Sequence, residues 1–155
     1  MIDESAEEID GGTIVNAAWA GTAAFTVAQV VATISPDLFG GIAAFVALGL
    51  FAIGCTIFLW AYALAVARSR TDEIGIGGLY FLAGTAPKVV AFRLRLALII
   101  QVVVAIASAA IRPFTSVAFG ILVPVFGLGL CGLWAARYGT FGHRGEQPQQ
   151  DEQRT

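Results

Sequence analysis

Charge is what this chain has least of. Only 13% of its 155 residues are Asp, Glu, Lys or Arg, where a soluble domain carries about 25%. Lysine occurs once, at Lys88, histidine once, at His143, and the other eight basic residues are arginines. No ionisable side chain lies well inside any of the long apolar runs. A carrier coupled to protons or cations needs such a group within the membrane to bind and release its ion. An intramembrane hydrolase needs a Ser/His, Cys/His or paired-carboxylate set, and the runs hold none. Cys55 and Cys131 are far apart in the chain, with no Cys-x-x-C and no Cys/His cluster, so they read as small buried hydrophobes. The expectation is a protein that is not an enzyme and uses no catalytic residue, cofactor or metal. Nucleic acid is not an expected partner.

What the chain has is apolar surface. Hydrophobic residues make up 57% of it, more than a water-soluble fold of this length can hide, so lipid must solvate part of it. A helix of roughly 20 apolar residues crosses a bilayer, and four such runs fall at about residues 13–34, 39–67, 94–111 and 114–136. Ser35-Pro36-Asp37 closes the first, Arg112-Pro113 closes the third, and Pro124 predicts a kink in the fourth. The predicted fold is all-α: a four-transmembrane-helix bundle of two antiparallel hairpins spanning residues 13–137. A polar acidic tail (residues 1–12) and a polar tail (residues 138–155) read as disordered.

Orientation follows from the basic residues. Arg68, Arg70, Lys88, Arg93 and Arg95 flank the connection of residues 68–93, and Arg137, Arg144 and Arg154 follow the fourth run. Only Arg112 falls on the other side. By the positive-inside rule both termini are expected in the cytoplasm. Trp60, Tyr62, Trp134 and Tyr138 are expected at that same interface, where amphipathic rings settle. The N-terminal segment carries Asp3, Glu4, Glu7, Glu8 and Asp10 and no basic residue; a secretory leader opens with positive charge, so the first run is expected to be a retained helix.

The halves resemble each other weakly. Gln29 and Gln101, Pro36 and Pro113, and Cys55-Trp60 and Cys131-Trp134 fall at comparable places, which would make a parallel repeat of hairpins. Gln29 and Gln101 are the most polar residues inside the runs. They read as amides pinning the first and third helices together, with the lining of a substrate path as the alternative. Ala20, Ala24, Ala28 and Ala32 form a small-residue stripe, and Gly127, Gly129 and Gly132 offer a close backbone approach.

Within the 68–93 connection, residues 74–84 are mostly apolar yet too few to span. Gly75-x-Gly77-Gly78 lacks the preceding strand and the Lys-Ser/Thr ending of a phosphate loop. Three readings stay open for residues 71–88. The segment lies on anionic lipid through Arg68, Arg70, Lys88, Arg93 and Arg95; or it docks a partner through Leu79, Tyr80, Phe81 and Leu82; or Asp72 and Glu73 pair with Arg68 and Arg70 to finish the second helix.

Residues 70–84, with Arg112-Pro113-Phe114 and Trp134-Ala135-Ala136-Arg137-Tyr138-Gly139-Thr140-Phe141, resemble small, uncharacterised four-span membrane proteins of actinobacteria. That resemblance covers roughly the second half of the chain. It implies a bacterial plasma membrane and carries over no catalytic or binding residue. Together these observations point to a non-enzymatic accessory or scaffold subunit of a bacterial envelope assembly, bound to the bilayer and to a membrane-protein partner or a second copy. The alternative is a small oligomeric transporter or channel with Gln29 and Gln101 along its path.

Overall fold

The computed structural model describes residues 11–142. The acidic segment of residues 1–10 and the tail from residue 143, with His143, Arg144 and Arg154, lie outside the described residues. The described chain is helical: α1 (Gly12–Ile34), α2 (Pro36–Arg68), α3 (Ile76–Phe81), α4 (Lys88–Ile111), a 3-10 helix (Ser116–Leu122) and α5 (Pro124–Tyr138). Four segments are long and apolar enough to cross a membrane: α1, α2, α4 and the combined stretch Ser116–Tyr138. The chain is a multi-pass membrane protein built as an all-α four-helix bundle.

The boundaries differ from the expected spans where charge or proline reads as a stop in the sequence. Pro36 opens α2 rather than merely closing α1, because its missing N–H costs nothing at a first helical position and its fixed φ suits one. Ser35 is shared: its N–H donates to the Val31 carbonyl at 3.0 Å, and its carbonyl accepts from the Phe39 N–H at 3.0 Å. Asp37 then lies in the first turn of α2, where the helix dipole favours a negative charge. Lys88, Arg93 and Arg95 are part of α4, not of the loop before it. Long basic side chains lay their stems along an apolar helix end and keep their charges in water. The 68–93 connection therefore shrinks to residues 69–87, with α3 inside it.

The kink expected at Pro124 is a break. The 3-10 helix ends at Leu122, Val123 links it to α5, and Pro124 stands at the first turn of α5. Pro has no N–H to carry a helical ladder through that point.

Gly11 lies beside the rings of Trp134 and Tyr138, so the start of α1 and the end of α5 meet at one end of the bundle. The 69–87 connection closes that end. At the opposite end Arg112 Nε donates to the Thr33 carbonyl at 3.2 Å. The side chain joins the C-termini of α1 and α4, and a cation suits both dipoles.

The last span is the central element. Half of its apolar window is buried inside the protein, against 17% for α2. α5 packs against α2, α3, α4 and α1, with α2 the most extensive partner. Glycine makes this possible at one crossing in particular. A Cβ on Gly54 would stand 2.6 Å from the Phe126 backbone, and one on Gly129 would stand 2.8 Å from the Gly54 carbonyl oxygen. The bulk of the core lies at the α3 end, around Val15, Leu79, Leu94, Leu130 and Trp134. Smaller clusters around Phe25 and Val123, and around Ala32 and Val117, continue it toward the other end.

Candidate functional site

Both intramembrane glutamines are fully enclosed: Gln29 is 1% exposed and Gln101 0%. Gln101 makes a three-helix joint. Its Nε2 donates to Thr22 Oγ1 on α1 at 2.7 Å, and its Oε1 accepts from the Gly127 N–H on α5 at 3.2 Å. Thr22 in turn donates to the Ala18 carbonyl at 2.7 Å. Gly127 is small because the amide needs the room: a Cβ there would stand 2.6 Å from Gln101 Oε1. The 3-10 start of the last span frees the first N–H groups of α5, and Gln101 takes one of them. Gln29 makes a weaker joint, Nε2 to the Val117 carbonyl at 3.2 Å, with Oε1 left without a hydrogen-bond partner. Gln101 joins the first and third spans, whereas Gln29 ties the first span to the 3-10 start of the last one and makes no bond to α4 among the described residues.

The apolar connection is part of the core. Leu79, Tyr80 and Leu82 are 4%, 6% and 1% exposed, which corrects the reading of Leu79 to Leu82 as one exposed docking patch. α3 is too short to satisfy itself and folds onto α5, where the Tyr80 ring fills the space over Gly132. That ring stacks on Phe58 of α2 with centroids 4.4 Å apart. Burial, with Tyr62 adding to it, pushes the Tyr80 phenol above its ordinary range. Of the docking candidates only Phe81 faces outward, with Ile76 beside it on the same short helix.

Arg68 is half-buried and held by bonds within this end of the bundle. Its Nε and Nη2 donate to Asp72 Oδ2 at 3.2 and 3.0 Å, closing an ion pair four residues apart. Nη1 donates to the Ala136 carbonyl at 2.9 Å and Nη2 to that of Gly139 at 3.2 Å. The guanidinium thus fastens the end of α2 to the end of α5, where unsatisfied carbonyls and the dipole favour a cation, and it also lies 5.4 Å from the Phe141 ring centroid. The third reading of the connection describes Arg68 and Asp72 well. Arg70, Glu73, Lys88 and Arg93 are exposed.

Residues 139–142 were expected in the polar tail, but they are knitted to the connection. The Thr140 N–H donates to the Thr85 carbonyl at 3.0 Å, and the Glu73 N–H donates to that of Gly142 at 2.8 Å. Trp134 is 2% exposed, a core residue and not part of an interfacial belt. Trp60 and Tyr62 are each 57% exposed. The alanine stripe divides: Ala20 and Ala24 face outward, while Ala32 is buried. Cys55 and Cys131 are free thiols. Among the described residues no cluster of His, Cys, Asp or Glu has the makings of a metal site.

No family model, curated protein or solved structure matches the chain. The geometry therefore carries the functional reading. Thr22 is the partner that the sequence reading did not single out. Thr22 carried a legible signal, since a hydroxyl in an apolar run needs a partner.

Proposed function

We propose that this protein is a non-enzymatic accessory or scaffold subunit of a bacterial plasma-membrane assembly, with both termini in the cytoplasm. One observation carries the reading: Gln29 and Gln101 are closed into helix–helix joints, and Gln101 is satisfied on both its amide atoms. A transporter needs polar groups open to its cargo, so this closure favours a structural role over the channel alternative. The basic residues gathered at the α3 end support the orientation. α2 supplies the surface for a membrane-protein partner. It is 33 residues long, and Ile42, Phe45 and Ile53 on its outer side are each more than half exposed.

Crosslinking in intact cells, followed by purification and mass spectrometry, tests the proposal. A stoichiometric membrane-protein partner whose crosslinks map to the outer face of α2 is expected. Recovery of self-crosslinked copies alone, together with solute flux in liposomes, would transfer the reading to an oligomeric transporter.

A further inference from the structure

The 82–87 turn and the first three turns of α4 enclose a cleft of about 610 Å³, within the range of ligand sites. We infer that this cleft holds the phosphate headgroup of an anionic phospholipid, with an acyl chain running down α4. The inference is independent of the scaffold reading.

The lining runs along one face of α4. Lys88, Phe92, Arg95 and Ile99 are spaced four, three and four residues apart, so they share one face of α4. Cations and apolar side chains alternate along that face, with Lys88 in the first turn, Arg95 in the third, and Ile99 about one turn beyond Arg95. Phe92 and Ile99 are 65% and 56% exposed, open to an acyl chain along their length.

Arg95 is positioned, not loose. Its Nε donates to the Phe81 carbonyl at 2.7 Å and its Nη2 to the Leu82 carbonyl at 2.9 Å. Those carbonyls are presented because Leu82 ends α3 in the left-handed region, at φ 54°. Nη1 makes no hydrogen bond within the described residues, and Arg95 and Lys88 both line the cleft.

Charge selects the occupant. At this end the described residues hold six cations, Arg68, Arg70, Lys88, Arg93, Arg95 and Arg137, against two carboxylates, Asp72 and Glu73. Asp72 already pairs with Arg68, and no described carboxylate lies within ion-pair distance of Lys88 or Arg95. Basic pockets of this kind beside membrane helices recognise anionic headgroups.

The test uses the full chain in phosphatidylcholine bilayers, with spin-labelled phosphatidylglycerol compared against spin-labelled phosphatidylcholine. The wild type is expected to prefer phosphatidylglycerol. Lys88→Gln, at an exposed position, should lower that preference about fivefold, the weight of one cation at an anionic surface. Arg137→Gln, at the same end but outside the cleft, should leave it unchanged. A wild type without preference, or equal losses in the two variants, would overturn the inference. So would a preference that emerges only when Asp3, Glu4, Glu7, Glu8 and Asp10 are changed to Asn and Gln, since the cleft would then belong to the chain's own acidic segment.

Discussion

Trp60, near the end of α2, is 57% exposed, whereas Trp134, at the corresponding place in α5, is 2% exposed. Cys55 is half-buried and Cys131 fully buried. The second helix of one hairpin is thus the outer wall of the bundle, and the second helix of the other is its centre. The glycines explain the difference. On α5, Gly127, Gly129 and Gly132 admit Gln101, the α2 backbone and the Tyr80 ring respectively. On α2 Gly54 meets the α5 backbone and Gly40 the Ser116 hydroxyl, while Gly41 and Gly49 face open space. Two stretches of similar composition occupy opposite environments because small residues let one of them be approached from several sides.

The largest expected break in this asymmetry is at the tryptophans. Trp134→Ala should cost about 3–5 kcal/mol of stability as a buried ring is removed. Trp60→Ala should stay within about 0.5 kcal/mol, as exposed changes do. Unfolding by SDS titration from mixed micelles measures both, and equal losses would mean that the two helices are equivalent after all.

Next comes the glycine crossing. Gly54→Val places a branched side chain against the Phe126 backbone and should destabilise by about 3 kcal/mol, at the upper end of overpacking costs. Gly49→Val, with nothing within 4 Å of its new Cβ, should be close to neutral in the same titration.

A smaller effect is expected at the Arg68 clamp. Arg68→Ala removes charge-assisted hydrogen bonds and should cost about 2 kcal/mol. The amides of Glu73 and Thr140 should then exchange with deuterium faster, whereas Arg70→Ala should leave them protected. Unchanged exchange in Arg68→Ala would remove the clamp from the account.

The number and place of the spans were legible because twenty-residue apolar runs have few alternatives in lipid. The pinning role of Gln101 was legible too, since a buried amide must find a partner. Three features were not. Helix starts at Pro36 and Lys88 were hidden because proline and charge are read as stops, although proline suits a first helical position and a lysine stem lies along an apolar helix end with its charge in water. The packing of α3 was hidden because Leu79-Tyr80-Phe81-Leu82 has the same composition whether it faces a partner or a core; only the space above Gly132 decides. The exchange of roles between α2 and α5 was hidden because hydropathy reports what lipid tolerates, not which helix its neighbours surround.

The central claim is that polar side chains within the membrane are joints of the bundle. Gln29→Leu should change stability by no more than about 0.5 kcal/mol, because it removes one long hydrogen bond together with an unmet acceptor. The direct test is a double-mutant cycle of Thr22→Val and Gln101→Leu, read by SDS unfolding. A coupling of about 0.6–1.7 kcal/mol, the range for hydrogen bonds between membrane helices, is the expected result. Zero coupling, with Gln101→Leu as stable as the wild type, would contradict the account and return Gln101 to the role of a residue awaiting a ligand.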